Sequence, residues 1–185
     1  FCGATVDFVD IDPNDWNISL EQLESKLRFA ASKSMLPKVL VIVDFCGLPC
    51  HLQKIHSLCK QYRVYLIEDA CHALGARYKN NPIGSCLYSD VTTFSFHPVK
   101  SITTGEGGMA LTNDEDLANN IRLLRSHGIT RDIDQMSRAP DGPWFNEQVD
   151  LGFNYRMTEL QGAIGKVQLK KLNLIIKSGK KKYLI

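Results

Sequence analysis

Two short segments of the chain are apolar at nearly every position and rich in β-branched residues, namely residues 38–44 (KVLVIVD) and 64–67 (VYLI). Continuous apolar runs of this length are typical of strands buried on both faces, as in a parallel sheet. Residues 4–11 (ATVDFVDI) alternate between small or apolar and polar positions, which predicts another short strand. Two more strands are predicted over residues 91–96 and 109–112. The chain is therefore expected to contain a sheet of several short strands.

The segments between these strands carry apolar residues at helical spacing. A leucine-rich stretch follows Ser19, which predicts a helix capped by that serine. The same spacing predicts helices over residues 51–62, 114–125 and 157–174, the last capped by Thr158. Strands that alternate with helices predict an α/β fold with a mostly parallel sheet flanked by helices.

Length and charge restrict the classes of function. A chain of 185 residues is long enough for one sizeable core. A formal net charge of +2 gives no electrostatic case for nucleic acid or a membrane surface as a partner. No stretch reaches the roughly 18 apolar residues of a membrane helix. The chain begins Phe1-Cys2-Gly3, without methionine, so we expect its start to be missing.

Six cysteines are spaced irregularly, without a secretory signal, which predicts free thiols in a reducing cytoplasm. A zinc site is conceivable on paper, because several potential ligands occur between residues 46 and 72: Cys46, Cys50, Cys59, Cys71 and His72. However, Cys59 falls on the apolar face of a predicted helix, and the chain has no paired C-x2-C units. No metal is therefore expected.

The richest candidate chemistry is Lys100 in the segment FSFHPVKSITTGEGG, together with Asp69 at the end of a predicted strand. Ligands of open parallel sheets bind beyond the carboxyl ends of the strands. A lysine amine can form a Schiff base with pyridoxal phosphate (PLP), and an aspartate can keep the pyridine nitrogen protonated. His72 is then a candidate neighbour of the cofactor ring, and Ser95 can bind its phosphate.

Each of these residues also has an ordinary structural interpretation. Asp69 can be a turn or helix-capping residue, His72 a partly buried histidine, and Lys100 a solvated loop lysine. A phosphate-loop lysine is another possibility, but the glycines follow Lys100 and the G-x-x-x-x-G-K-[ST] order is absent.

Several segments in one order resemble the DegT/DnrJ/EryC1/StrS aminotransferases, which act on nucleotide-linked sugars: VIVDFCGLPCHLQKI, YLIEDACHALGARYKNNPIGS, FSFHPVKSITTGEGGMALTND, LRSHG and GFNYRMTELQGAIG. The resemblance extends over residues 1–172. It implies the large domain of a fold-type I PLP-dependent transferase, here in part. Residues 173–185 form an atypical lysine-rich tail, which we expect to be solvated.

The resemblance also implies roles for individual residues. Lys100 is the lysine that binds the cofactor aldehyde and moves the proton, and Asp69 is the partner of the pyridine nitrogen. His72 lies next to the ring and Ser95 contacts the phosphate. Asn154, in GFNYR, matches an asparagine that reaches the phosphate of the neighbouring subunit's cofactor, which implies a homodimer with a shared site.

Within the family, the segments HPVKSITTGEGG and EDACHALG most resemble the enzymes that aminate C4 of UDP-linked 4-keto-6-deoxy sugars in pseudaminic acid synthesis, with glutamate as the donor. Residues 128–150 look like a loop, and residues 131–149 within it are the expected determinant of sugar selectivity. The alternative is a truncated, non-catalytic fragment of such an enzyme. Sugar dehydratases of the family have histidine in place of the Schiff-base lysine, and Lys100 argues against that activity.

Overall fold

A computed structural model describes the backbone of residues 2–182 and the side chains of residues 2–178. The α-helices and strands of this described part, in chain order, are α1 (Leu20–Ser32), β1 (Val39–Val43), α2 (Leu52–Tyr62), β2 (Tyr65–Asp69), β3 (Arg77–Tyr78), β4 (Asn81–Pro82), β5 (Val91–Ser95), β6 (Gly108–Leu111), α3 (Glu115–Leu124), β7 (Ile129–Thr130), β8 (Glu147–Gln148) and α4 (Glu159–Lys182). Two short 3-10 helices are formed by Phe45–Gly47 and Ile133–Gln135.

The central sheet has four strands in the order β1-β2-β5-β6. β1, β2 and β5 run parallel, and β6 runs antiparallel to β5. The register pairs Val43 with Asp69 and Asp69 with Thr93. The carboxyl ends of the three parallel strands therefore lie at one edge of the sheet. The prediction of an α/β fold with a mostly parallel sheet is confirmed.

One face of the sheet packs against α1 and α2 and forms the core. Its buried side chains come from both helices and from every second position of the strands: Leu23, Leu27, Ile42, Ile55, Cys59, Leu66 and Phe94. Ile55 is 0% exposed. Burial of an aliphatic side chain of this size stabilises the fold by roughly 1.5–3 kcal/mol, so this layer holds the strand ends in place.

The opposite face of the sheet is open along β1 in the described part of the chain. Val39, Val41 and Val43 are 45%, 56% and 43% exposed, and Tyr65 beside them is 62% exposed. The prediction that residues 38–44 are buried on both faces is therefore wrong for this chain. An apolar run shows that a strand is suited to burial on both faces. It does not show that this chain contains the residues that would cover the second face.

Residues 4–11 do not form the predicted strand. An isolated bridge between Ile11 and Ile18 is the β-pairing that this segment makes in the described residues. Asp7 and Asp10 instead accept hydrogen bonds from the next backbone N–H along the chain, and Lys26 bonds the Asp7 carboxylate at 2.7 Å. Such local bonds compete with strand pairing. Alternation alone therefore misidentified a segment that has no neighbouring strand here.

The predicted helix starts are confirmed. The Ser19 hydroxyl accepts from Gln22 N at 3.3 Å, which satisfies one of the free N–H groups of the first turn of α1. At α4, the Thr158 hydroxyl accepts from Gln161 N while Thr158 N donates to Gln161 Oε1 at 2.9 Å. This reciprocal pair is a capping box.

Two predicted boundaries differ from the structure. α4 continues to Lys182 instead of ending at residue 174, because lysine is a good helix former and adds no stop signal. Residues 183–185 of the predicted tail lie outside the described residues. The segment 128–150, predicted as a loop, contains the short antiparallel pair β7–β8, in which Thr130 is paired with Glu147.

Gly128 at the start of this pair should not tolerate a side chain. Its φ of +67° disfavours L residues, and a Cβ there would overlap the carbonyl oxygen of Asp150. We expect Gly128→Ala to lower the free energy of unfolding by about 3 kcal/mol. Gly162 is the matched control, because it lies in α4 with open space around it, so Gly162→Ala should raise the free energy of unfolding by about 0.5–1 kcal/mol. Urea denaturation measures both changes. Equal denaturation midpoints for the two variants would contradict the prediction that Gly128 cannot tolerate a side chain.

Candidate active site

The site is built on the carboxyl ends of β2 and β5, on the open face of the sheet. Asp69 is the last residue of β2 and is paired with Thr93 of β5. Residues two apart on a strand share a face, so Thr93 and Ser95 lie on the same face as Asp69. Asp69 is half-buried there. Its carboxylate Oδ1 accepts from Cys71 N at 3.1 Å.

The Cys71 thiol is affected by both Asp69 and Lys100. Burial raises the pKa of the Cys71 thiol to about 11, hydrogen bonding and charge of Asp69 add to the rise, and the Lys100 ammonium opposes it. Cys71 is therefore a neutral thiol that senses both the carboxylate and the ammonium. The charges of Asp69 and Lys100 therefore both act on one small side chain, although the two residues are 31 positions apart in sequence.

Lys100 is half-buried in the turn that follows β5. Its backbone N donates to His97 O at 3.0 Å, which closes the turn. Within the described residues, no salt bridge forms at Lys100 Nζ or at the Asp69 carboxylate. A primary amine and a carboxylate are therefore both available to a ligand at this edge.

Ser95 is the last residue of β5, two positions beyond Thr93. Strand geometry places its Cα about 8 Å from that of Asp69, one strand over and two residues along. The hydroxyl accepts from His97 N at 3.3 Å, which leaves its O–H to donate elsewhere. A groove of about 410 Å³ lies beside its register partner, Gly108. This groove is lined by residues 106–108, residues 155–157 and Gln161, and it does not include Asp69.

His72 is exposed and lies beside Phe45. The two rings meet edge to face, with centroids 6.3 Å apart and an interplanar angle of 62°. A Cβ on Gly47 would lie 2.8 Å from His72 O, and Gly47 has a φ of +83°. Glycine at this position therefore allows the segment after β1 to approach the His72 backbone closely.

Asn154 is not joined to the other candidate residues. It is exposed and forms an isolated antiparallel bridge with Ser126. In the part of the chain that the structure describes, no hydrogen bond links its side chain to Asp69, His72, Ser95 or Lys100. Its predicted role, toward the cofactor of a neighbouring subunit, stays a prediction.

The residues present fit PLP. The cofactor needs a primary amine for its aldehyde and a negative charge for its ring nitrogen. Lys100 and Asp69 supply these two groups, and both act on the charge of Cys71. The Ser95 hydroxyl lies on the same face of the sheet as Asp69. Two neighbours of this site, Cys71 and Thr93, were not assigned roles from the sequence. Thr93 could have been identified from the two-residue period of a strand, because it lies two residues before Ser95. In the structure it is also paired with Asp69.

The cysteines do not assemble into a metal site. Among the described residues, no group of three or more histidine, cysteine or acidic side chains could hold a metal ion. Cys50 and Cys59 are buried, and all six cysteines are free thiols. No helix within the described range is long and apolar enough to span a bilayer.

The fold is that of PLP-dependent aminotransferases. The solved structure of Helicobacter pylori PseC, an aminotransferase involved in the biosynthesis of pseudoaminic acid, superposes with a TM-score of 0.80 and 34% identity, covering 93% of this chain and 42% of that chain. The chain belongs to the DegT/DnrJ/EryC1/StrS aminotransferase family, whose family model matches residues 1–184. PLP is the cofactor of this family.

Two curated relatives are similar to the chain at the same level. One is the UDP-4-amino-4,6-dideoxy-N-acetyl-beta-L-altrosamine transaminase of Campylobacter jejuni (serotype O:23/36), which is 42% identical over 92% of this chain and 42% of its own length. The other is an uncharacterized protein of Methanocaldococcus jannaschii, 42% identical over the same shares. The chain thus spans about 42% of the length of the relatives that it matches.

Proposed function

We propose that the chain is the cofactor-binding part of an aminotransferase that moves an amino group from glutamate to C4 of a UDP-linked 4-keto-6-deoxy sugar in surface-glycan synthesis of the pseudaminic acid type. The observation that carries this proposal is that Asp69, at the end of β2, is paired with β5, the strand whose following turn holds Lys100, and that the charges of both residues act on the Cys71 thiol. Family membership and the 42% identity to the Campylobacter jejuni transaminase support the reaction type and the substrate class.

PLP, when bound, supplies an aldehyde that takes up the amino group and a ring that withdraws electrons from the adjacent carbon. Lys100 Nζ would hold the aldehyde, and the same amine would accept a proton and return it. The Asp69 carboxylate keeps the ring nitrogen protonated, because an opposite charge favours the protonated form. His72 lies beside the ring, and the Ser95 hydroxyl donates to the phosphate.

The overall exchange balances without an external oxidant or reductant. Glutamate loses its amino group and becomes 2-oxoglutarate, and the sugar ketone becomes an amine. In each half of the exchange, one proton leaves one carbon and arrives at another, and Lys100 Nζ carries it. Because the proton returns, a single amine serves both halves.

The active assembly is proposed to be a homodimer in the cytoplasm. Asn154 is exposed and is not hydrogen-bonded to the site of its own chain, which suits a role toward a second copy. The six free thiols suit a reducing compartment. Sedimentation velocity of the chain with PLP tests the dimer, and a monomer at every concentration would contradict it.

The function is tested by following nitrogen through each half of the reaction. The purified chain, loaded with PLP, is mixed with glutamate, and 2-oxoglutarate is counted per chain. We expect about one equivalent, followed by conversion of a UDP-linked 4-keto-6-deoxy sugar to its 4-amino form, detected by mass spectrometry. The GDP-linked ketone is the matched control. Equal conversion of both ketones would contradict the UDP assignment, and amination of neither would contradict the sugar substrate.

A non-catalytic fragment is the second candidate. The observation that favours it is the open sheet face, where Val41 is 56% exposed beside Val39 and Val43. Apolar surface of this kind promotes self-association. A chain that binds PLP but releases no 2-oxoglutarate would favour this second candidate over the enzyme.

A further inference from the structure

Two carboxyl groups lie buried on the helix side of the sheet, at the ends of β1 and β2. Asp44 directly follows β1 and is 0% exposed, and Glu68 is the next-to-last residue of β2 and is 3% exposed. Neither forms a salt bridge within the described residues. Burial of an unpaired charge costs free energy, and two buried carboxylates side by side cost more than one. Some other interaction must therefore offset this cost in the folded chain.

Each carboxyl group has one oxygen with hydrogen-bond donors and one without. Asp44 Oδ1 accepts from Cys50 N at 2.9 Å. Glu68 Oε2 accepts from Thr92 Oγ1 at 2.7 Å and from Ser89 Oγ at 3.1 Å. Asp44 Oδ2 and Glu68 Oε1 are the buried side-chain polar atoms that have no partner in the described part of the chain.

Asp44 is two residues beyond Ile42, which is paired with Glu68 on the neighbouring strand, so both carboxyl groups lie on the helix side of the sheet with Cα atoms about 8 Å apart. Burial raises the pKa of Asp44 to about 7, the N–H of Cys50 opposes the rise, and the charge and hydrogen bond of Glu68 add to it. The Cys50 thiol is the other titratable group here, and burial followed by the Asp44 charge raises its pKa far above the usual range. No lysine, arginine or histidine of the described residues forms a salt bridge with either carboxyl group.

We propose that Asp44 and Glu68 share one proton in the folded chain, and that this carboxyl pair positions the strand ends that carry the candidate active site. A single proton between the groups provides the missing donor for the unpartnered oxygens and removes one of two negative charges. Both requirements are met by one atom, without a partner from elsewhere in the chain.

The pair is connected to the candidate site through the backbone. Asp44 N donates to Asp69 O at 3.0 Å, which ties the end of β1 to the residue proposed to face the cofactor. The next residue, Phe45, packs against His72. Loss of the shared proton places two like charges beneath this edge and loosens it. The effect on the cofactor rests on the proposed function, whereas the shared proton does not.

The direction of the pH dependence follows from the raised pKa of Asp44. In the unfolded chain Asp44 ionises near its ordinary value of 3.8, but in the folded chain it does so near 7. Between these values, the folded chain holds a proton that the unfolded chain has lost. Unfolding therefore releases a proton in this window, and the contribution of the pair to stability decreases as pH rises and is lost above about pH 7.

The test compares the full chain with Asp44→Asn across this window. The asparagine keeps an oxygen for Cys50 N and offers an N–H to Glu68 at every pH. We expect the folding equilibrium constant of the unmodified chain to fall up to tenfold more per pH unit than that of Asp44→Asn. Urea denaturation between about pH 4.5 and 7.5 measures this difference, and Asp116→Asn, on the exposed surface of α3, is the matched control that should retain the slope.

A direct proton count makes the test independent of any variant. Urea unfolding of the unmodified chain near pH 5.5, followed with a pH indicator, should release about one proton more than the ordinary carboxyl values allow. No excess proton, or an equal slope for Asp44→Asn, would overturn the proposal. Stabilisation above pH 7 by added Mg²⁺ with no excess proton would overturn it in favour of a cation. An excess proton in a chain that fails to bind PLP would refute the proposed function alone.

Discussion

Replacing Lys100 by arginine is expected to abolish covalent attachment of PLP to the chain. Borohydride reduces the bond between a lysine amine and the PLP aldehyde, and the label then remains on that residue. Arginine keeps the positive charge that acts on Cys71, but its guanidinium stays protonated and does not form this bond. Peptide mapping after reduction measures the label, which should fall from near one per chain to background.

The control for this substitution is a lysine on the exposed surface of α4. Lys166→Ala should leave the label on Lys100 unchanged, because Lys166 is distant in sequence and exposed. A label that persists in Lys100→Arg would show that another amine holds the cofactor, and Lys100 would lose its role. Loss of the label together with loss of folding, measured by circular dichroism, would instead point to a structural role for the lysine.

Much of the fold could be predicted because its main elements carry local signals. The hydroxyls of Ser19 and Thr158 each cap a helix by accepting a hydrogen bond from the backbone N–H three residues later. These helix starts could therefore be identified from the sequence alone. The apolar runs around residues 38–44 and 64–67 located β1 and β2, two of the three parallel strands. These signals depend on neighbours within a few residues.

The parts that could not be predicted depend on what lies across from a segment. Residues 4–11 have the alternation of a strand, yet Asp7 and Asp10 bond their own backbone, because no neighbouring strand competes for those groups in the described residues. Likewise, the composition of β1 indicated burial on both faces, but Val41 is exposed. Strand pairing and the burial of a sheet face depend on residues that are distant in sequence, so the local pattern of apolar residues does not predict them.

The candidate site shows the same division. Asp69 and Lys100 could be identified from the sequence as candidates, but only the register of β2 and β5 places Thr93 beside Asp69. Cys71 was counted among conceivable zinc ligands, whereas in the structure its backbone N–H donates to Asp69 and its thiol is affected by the charges of Asp69 and Lys100. The proposed pairing of Asp44 with Glu68, which are 24 residues apart, could not be predicted, because the segments that contain them do not show that their strands are neighbours.

Replacing Asp69 by asparagine should separate cofactor binding from turnover. Asparagine has nearly the same shape and still offers an oxygen to Cys71 N, which donates at 3.1 Å in the unmodified chain. It carries no charge, so the ring nitrogen loses the group that keeps it protonated. We expect the borohydride label on Lys100 to remain, while the rate of 2-oxoglutarate formation from glutamate falls by about 10²-fold or more.

A second aspartate at the end of a strand, Asp90, provides the control for this substitution. Asp90 precedes β5 at the opposite edge of the sheet, where it accepts from Leu66 N at 2.7 Å and pairs with Lys60. Asp90→Asn removes an equal charge from the same sheet without touching the candidate site, so its rate should stay close to normal. If both variants lose turnover equally, the effect belongs to the sheet as a whole. If Asp69→Asn retains near-normal turnover, the carboxylate does not act on the cofactor ring, and the proposed chemistry must find its negative charge elsewhere.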